Sequence, residues 1–528
     1  MSAMTTRAGK LATPGVVAAL AAACVVAAMT LSACQTEPTT LQTPVECEPW
    51  EPLAADRLTV DAAREAHRWA ELRRHVRFNE AVAPGYLLQR TAGVVAQERI
   101  DAGQVCFRTL YEAGRLIFEH EYSFADGLGD GESRDAASPF LRVHTGRYGG
   151  PETTSCTSCH WRGGVAGAGA LQDNSFIQGD GDLVTSADAR NPPPLHGAGV
   201  VQALAREMSQ ELGQIRDQLV RRARDERRAV EGRLVAKGVD FGVLRVSASG
   251  GIDSTGIEGI DPDLVIRPFG WKGTVATLRE FVIESLQVHF GIQSEDLVAR
   301  HRREPDPELV GPGTDPDDPD NDGKTAELTA GQLTALISFL AVQELPENRT
   351  PDRMRDPVTG ILVDFPAEWT KGQDLFQSVG CVSCHRTMMV LEDPIFRTTS
   401  EVTGKTIEID LSAQAEQPRL VYDPELGGYP VWLFSDLKRH DMGPRNASRH
   451  EDHGVSRRHY LTRRLWGLAH SAPYFHDGRA ATFDHAIAAH DGEAAFARDA
   501  FAALSAADQS SLRVYLMSLR RARRPVVP

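Results

Sequence analysis

Two stretches constrain this 528-residue chain more than any others, SCTSCHWRGG at 155–164 and GCVSCHRTMM at 380–389. Each sets two cysteines three apart, with a histidine directly behind the second. Three further blocks recur in the same order. EAGRLIF (112–118) matches TKGQDLF (370–376), FGWKGTVATLREFVIES (269–285) matches YFHDGRAATFDHAIAAH (474–490), and LTAGQLTALISFLA (328–341) matches LSAADQSSLRVYLM (504–517). Blocks repeated in one order imply two related units. The first copy carries insertions, since 37 residues separate Phe118 from Cys156 but only four separate Phe376 from Cys381.

A CxxC pair can bind zinc, run thiol redox chemistry or carry a covalent haem. Structural zinc takes four ligands, usually from two closely spaced pairs, whereas here the pairs lie in different repeat units. A thioredoxin-like motif asks for a strand–helix setting and no histidine behind the second cysteine. Covalent haem accounts for every residue. Cys156 and Cys159 would span the vinyl groups of one haem c with His160 as proximal iron ligand, and Cys381, Cys384 and His385 would hold a second. GQDLFQSVGCVSCH also puts a short helix with Leu375 and Phe376 just upstream, which resembles the first helix of a c-type cytochrome.

The expected fold is mainly α: two cytochrome c-like haem domains in tandem (110–345 and 368–528), a linker at 346–367, a helical N-terminal extension at 56–109, and long loop insertions. Segment 56–78 has apolar residues at helical spacing, and roughly 200–237, containing RDQLVRRARDERRAVEGRL, reads as a charged, solvated helix. REPDPELVGPGTDPDDPDNDGK (303–324) reads as a loop.

Arg7 and Lys10 precede the apolar run GVVAALAAACVVAAM (15–29), which leads into LSAC ending at Cys34. A basic start, a short apolar core and small residues before a cut site describe an export signal over 1–34. LSAC resembles a bacterial lipobox. That implies a lipid on Cys34 inserted in a bilayer, a tether over 35–55 and, with Gln35 next in the chain, a place on the periplasmic side of the outer membrane. Cys47 and Cys106 are left over, either as a disulfide of an oxidising compartment or as two buried thiols. The net charge of −15 argues against nucleic acid and suits a basic protein partner.

The other face of each iron decides the chemistry. A strong sixth ligand makes an electron carrier, while an open or displaceable one admits peroxide or oxygen. Aligned on Gly273 and Gly478, His490 matches Ser285, and His289 lies one turn beyond on the same helix face. These two are the distal candidates, with Met208, His196 and Met442 as rivals. Trp271 stands where the second copy has His476, and would relay an electron or hold a radical between haems, or simply fill a core. Glu284 and Glu493 lie near the proposed haem-facing helices, either as proton donors and acceptors or as surface carboxylates. Asp318, Asp320 and Asp322 before Gly323 begin like a calcium loop. The closing glutamate position is Thr329, with Glu327 two short, so a solvated acidic turn is the alternative.

With SCTSCH, RNPPPLHGAG, FGWKGTVATLR, GCVSCH, DLKRHDMGP and LWGLAHSAPYFHDGRAATFDHAIAAHDGEA in place, the sequence from about Leu110 to Leu519 resembles the bacterial di-haem oxidoreductase family of peroxidases, distant relatives of the di-haem cytochrome c peroxidases. The resemblance implies two covalent haems c in a periplasm-facing protein. It also implies electrons from a small donor such as a cytochrome c, passed through one haem and past a tryptophan to a second that reacts with hydrogen peroxide. On that pattern the His385 haem receives the electron and the His160 haem meets peroxide. There are two departures. The peroxidase relatives commonly have methionine where His490 falls, and a His/His pair lowers the potential relative to Met/His. Their histidine shortly after the first motif has no match in GDGDLVTSADAR. The alternatives are a non-enzymatic electron conduit with two six-coordinate irons, and another di-haem oxidation by an oxygenase or an enzyme that modifies a partner protein.

Overall fold

The computed structural model describes residues 39–40, 85–129, 151–179, 183–304, 315, 317–318, 322–348, 353–355 and 359–521. Its helices, in chain order, are α1 (Tyr86–Val94), α2 (Gln97–Asp101), α3 (Phe107–Glu119), α4 (Cys156–Cys159), α5 (Ala198–Glu226), α6 (Leu278–Phe290), α7 (Glu295–Arg303), α8 (Ala330–Ala341), α9 (Phe365–Ser378), α10 (Phe483–Ala489), α11 (Ala495–Ala502) and α12 (Ala506–Ser518). The export signal, the helix expected at 56–78, Cys47 and Asp320 lie outside the described residues, as does the tether apart from Thr39–Thr40, which pairs in parallel with Ile407–Glu408. No described helix is long and apolar enough to cross a membrane. Cys106 is disulfide-bonded.

The mainly α expectation is corrected: among the described residues 40% are helical and 16% are strand, in a mixed α/β fold with several small sheets. The strands fall in segments expected as helix, linker or tether and in stretches where no element was expected; in the longest pair, period-two burial overrides charge density. The charged helix is the clearest case. It ends at Glu226 rather than near 237, and Arg227 takes a left-handed φ of 51°. Strands Val230–Ala236 and Val239–Val246 follow, joined by Lys237 and Gly238 at φ 48° and 75°. Two successive positive φ values make the two-residue turn that matches strand twist. Val230, Leu234, Ala236, Phe241, Leu244 and Val246 are buried. Farther on, Ile395–Thr399 and Thr406–Asp410 pair antiparallel, with Phe396, Ile407 and Ile409 buried.

The repeated blocks form matching elements. In the first copy α3 packs along α8, and in the second α9 packs along α12. Both crossings need glycine. A Cβ on Gly114 would lie 2.0 Å from the Ala335 carbonyl oxygen, and one on Gly372 would lie 2.2 Å from that of Ser511. Equivalent rings then meet over the crossing, with Phe118 5.4 Å from Phe339 and Phe376 5.5 Å from Tyr515. The third block repeats as well. Bridges Phe269↔Val275 and Tyr474↔Ala480 close equivalent turns ahead of α6 and α10. The two helices start at Thr277 and Thr482, whose hydroxyls accept from the amides of Glu280 and His485.

Residues 39–528 form one compact unit with two buried clusters. The smaller gathers Phe376, Val379, Phe434, Phe483, Phe501, Leu512, Tyr515, Leu516 and Leu519. The larger holds α3, α5, α6 and α8, and also takes Met389, Leu391, Phe396, Ile407, Ile409 and Val431 from beyond the second CxxCH. The copies are tied together at the chain's end. Leu519–Arg520 pairs with Glu347–Asn348, Arg521 makes a buried ion pair with Glu344, and its Nη1 donates to the Gly163 carbonyl at 3.1 Å.

Candidate functional site

Each CxxCH faces a cavity. In the first copy α4 is a single turn capped by Ser155, whose hydroxyl accepts from the Ser158 amide at 3.2 Å. The turn fixes His160, whose amide donates to the Cys156 carbonyl at 2.9 Å. The Nδ1–H of His160 donates to the Gly167 carbonyl at 3.2 Å, which fixes the tautomer with Nε2 unprotonated. Desolvation pulls His160 down to about 4, so the imidazole is held neutral, the state in which it binds a metal. The cavity of about 410 Å³ is walled on its far side by α6, with Glu284, Ser285 and His289. His289 Nδ1–H donates to Glu152 Oε2 at 2.5 Å. Glu152 is itself clamped: its Oε1 accepts from the Phe176 amide at 3.1 Å, and its own amide donates to the His289 carbonyl at 2.9 Å. A carboxylate four residues before the first motif cysteine therefore grips the histidine on the opposite wall.

The second copy repeats the anchor. His385 follows a short turn at Cys381–Ser383, its amide donates to the Cys381 carbonyl at 2.9 Å, and its Nδ1–H donates to the Phe434 carbonyl at 3.0 Å. Desolvation, reinforced by His490, pulls His385 down to about 4. His490 sits just past the end of α10, its Nδ1–H bonded to the Ala486 carbonyl at 2.7 Å. Its ring centre is 6.4 Å from that of His385. Two imidazoles on opposite sides of one metal, each bonded at about 2 Å, put their ring centres roughly 6 Å apart. The donor set, two cysteines and two facing neutral histidines, thus fits an axially ligated haem c. Met442 also lines this cavity of about 250 Å³. Met208 and His196 are buried and line neither cavity.

Between the cavities stands Trp271. It lines both, together with Asn191, Pro192 and Pro193. Its Nε1–H donates to the Asn191 carbonyl at 2.9 Å, the Arg463 guanidinium lies 4.6 Å from its ring, and the His476 ring meets it edge-on at 6.4 Å. The next residue, Lys272, is fully buried. Its ammonium donates to the Ser456 and Arg457 carbonyls and sits 3.8 Å from the Tyr460 ring centre, while burial pulls it down to about 7. Tyr460 in turn stacks on His476 at 4.4 Å.

The two candidate carboxylates separate. Glu284 is on the wall of the first cavity. Glu493 is not on the second; it stands behind His440, accepting from its Nδ1 at 2.7 Å. His440 lines that cavity and also donates through Nε2 to Asp436 at 2.8 Å. Burial opposes a charge on His440, yet the Asp436 carboxylate raises it to about 11. Cys384, Asp436 and His440 have metal-like spacing, but the Cys384 sulfur is the one a haem thioether would use. In the acidic turn both Asp318 oxygens accept backbone amides, from Asp322 and Gly323.

Sequence reasoning missed Glu152, the paired arginines Arg463 and Arg464, and His440. The adjacency of RR to LW at 463–466 was the one available signal, since two arginines beside a buried tryptophan sit poorly on an ordinary surface.

Residues 364–519 match the family model described as "Di-haem oxidoreductase, putative peroxidase". The chain resembles the di-haem oxidoreductases. The match covers the second repeat, with its CxxCH, His490 and Arg463. No curated protein matches. Among solved structures, a Kuenenia stuttgartiensis hydrazine synthase aligns at 19% identity over 36% of this chain and 55% of its own, with a TM-score of 0.20. The chain thus spans about half of that relative. A MauG-like protein associated with microbial copper homeostasis aligns at 16% identity over 53% of this chain and 79% of its own, with a TM-score of 0.26.

Proposed function

We propose that this is an exported, lipid-anchored di-haem c oxidoreductase that reduces hydrogen peroxide with electrons passed between its two sites. The observation that carries the reading is the shared wall: Trp271 lines both CxxCH cavities, so an electron leaving one site meets an indole before the other. Bound at these sites, haem supplies a one-electron store in each cavity and an iron at which peroxide is reduced. Cys156, Cys159 and His160 would hold one haem, and Cys381, Cys384 and His385 the other.

The two cavities suit different roles. His490 is fixed with its ring centre 6.4 Å from that of His385, and the two would hold the second haem together, which suits an electron-receiving site. The first cavity is larger, and its distal histidine is bonded to a carboxylate instead of a carbonyl. There His289 serves as a proton acceptor. Its Nδ1–H is committed to Glu152, its Nε2 takes a proton from peroxide, and Glu152 stabilises the imidazolium that results. His289 then passes that proton to the departing oxygen, and Glu284, on the same wall, relays from solvent the protons that the reduction consumes. Trp271 acts as a conduit: its N–H faces a neutral carbonyl that cannot take the proton, and Arg463 places positive charge over its ring. Both features disfavour a resting indole radical. The donor would be a small basic electron carrier steered by the net charge of −15.

Reducing one peroxide to two waters takes two electrons and two protons, which matches one electron from each site. The test mixes anaerobically reduced protein with one equivalent of hydrogen peroxide. Oxidation of both haems with loss of the peroxide supports the reading, and persistence of both reactants overturns it. The facing pair His385 and His490 favours one second reading, a pure electron conduit, if His289 likewise stays permanently on its iron.

A further inference from the structure

Arg463 and Arg464 are the least explained charges in the molecule. Both line the second cavity, and both are half-buried against Trp271 and Trp466. Their protein partners are neutral. Arg463 Nη1 donates to the Gly270 carbonyl at 3.2 Å, and Arg464 Nη2 donates to the Pro194 carbonyl at 2.9 Å. Arg464 Nε is buried with no partner. Among the described residues no carboxylate lies within ion-pair distance of either. The other arginine on this cavity's wall, Arg498, has Asp491 at 3.1 Å. Desolvation depresses both groups, to about 9 for Arg463 and about 10 for Arg464, and Arg464 adds repulsion to Arg463. Two adjacent half-buried guanidiniums without a counter-charge are unfavourable unless an anion completes the site. The guanidinium fork is shaped for a carboxylate.

We infer that Arg463 and Arg464 form a carboxylate subsite of the second cavity, occupied by the carboxylates of the haem anchored at Cys381 and Cys384, and that Arg463 links that haem electrostatically to Trp271. The inference rests on the haem reading and adds the groups that neutralise and tune one of the two haems. A free small anion is the other source of the same chemistry. The subsite is one-sided: the arginine on the first cavity wall, Arg190, already has Asp188 at 3.7 Å. Removing charge at 463 or 464 should therefore move one haem potential and leave the other.

The test is a potentiometric titration of the purified, haem-loaded protein and of its Arg464→Gln, Arg463→Gln and Arg464→Lys variants, with haem content measured alongside and folding checked by circular dichroism. A positive charge beside an iron favours its reduced state. Arg464→Gln should therefore lower one potential by on the order of a tenfold change in the oxidised-to-reduced ratio, about 59 mV for one electron. Arg464→Lys should recover part of that shift. Two haems per wild-type chain with no potential moved by either glutamine variant would overturn the inference alone, while fewer than two would overturn the underlying haem reading. If inorganic phosphate or acetate shifts the loaded wild type, and Arg464→Gln abolishes that response, the occupant is a free anion and the haem-carboxylate assignment is wrong.

Discussion

Replacing Glu152 with Gln separates charge from shape at the histidine proposed to handle protons. In the native protein the carboxylate satisfies two donors at once, His289 Nδ1–H at 2.5 Å and the Phe176 amide at 3.1 Å, and its side chain is only 8% exposed. A carboxamide has one oxygen and can serve only one of them, so its NH2 group must face the other donor. A hydrogen bond to a charged group contributes about 1.5–3 kcal/mol. Loss of an outer partner of a site histidine typically costs about 10–100-fold in activity. At about 1.4 kcal/mol per tenfold the two magnitudes agree. Glu152→Gln should therefore lower kcat/KM for peroxide by roughly 10–100-fold, while both haems stay attached and only one changes its optical spectrum. The assay is peroxide-dependent oxidation of a reduced small cytochrome, run beside haem quantification. A fully loaded variant within twofold of wild type would refute the role given to the Glu152–His289 pair.

Trp271→Phe keeps a ring in the shared wall but loses the Nε1–H bond to Asn191; it should slow electron transfer between the haems by more than about tenfold without altering either static spectrum, as flash or stopped-flow reduction would read. His490→Ala should turn one low-spin haem high-spin, and added imidazole should restore the low-spin signal; an unchanged spectrum would remove His490 from the iron. Glu416, bonded to the Tyr111 hydroxyl, is raised by burial from 4.5 to about 8. Its folded form holds the proton more tightly, so the stability it contributes is fully present below about pH 4.5 and is lost as pH rises to about 8. Glu416→Gln should flatten that decline and melt higher than wild type at pH 8, and identical pH slopes in the two melting series would contradict the assignment.

The parts that could be read from sequence were those whose signals are local. Gly114 and Gly372, the caps Thr277 and Thr482, and the paired aromatics of α8 and α12 announce their packing within a few residues. The two CxxCH motifs are local signals as well, and each lines a cavity. Where the fold departed from the mainly α expectation, the cause was a competing pattern. In VEGRLVA (230–236) the charges before it suggested that a solvated helix continued, but burial alternates at period two and Lys237–Gly238 supplies the turn into the next strand. The site's second layer was out of reach because its partners are remote in the chain. Glu152 and His289 are 137 positions apart, and Arg463 acquires meaning only when Trp271 lies beneath it. Glu493 shows the opposite failure. It follows His490 by three residues, yet its side chain turns to His440 and away from the cavity.

The central claim is that two haems share a tryptophan wall and only one of them meets peroxide. Electron paramagnetic resonance and optical spectra of the oxidised and half-reduced protein, with and without hydrogen peroxide, test it most directly. The account predicts one low-spin haem unmoved by peroxide, and a second with a high-spin signal, in the oxidised protein or on half-reduction, that peroxide abolishes. Two low-spin haems unchanged by peroxide in every redox state would contradict it and leave the protein an electron conduit.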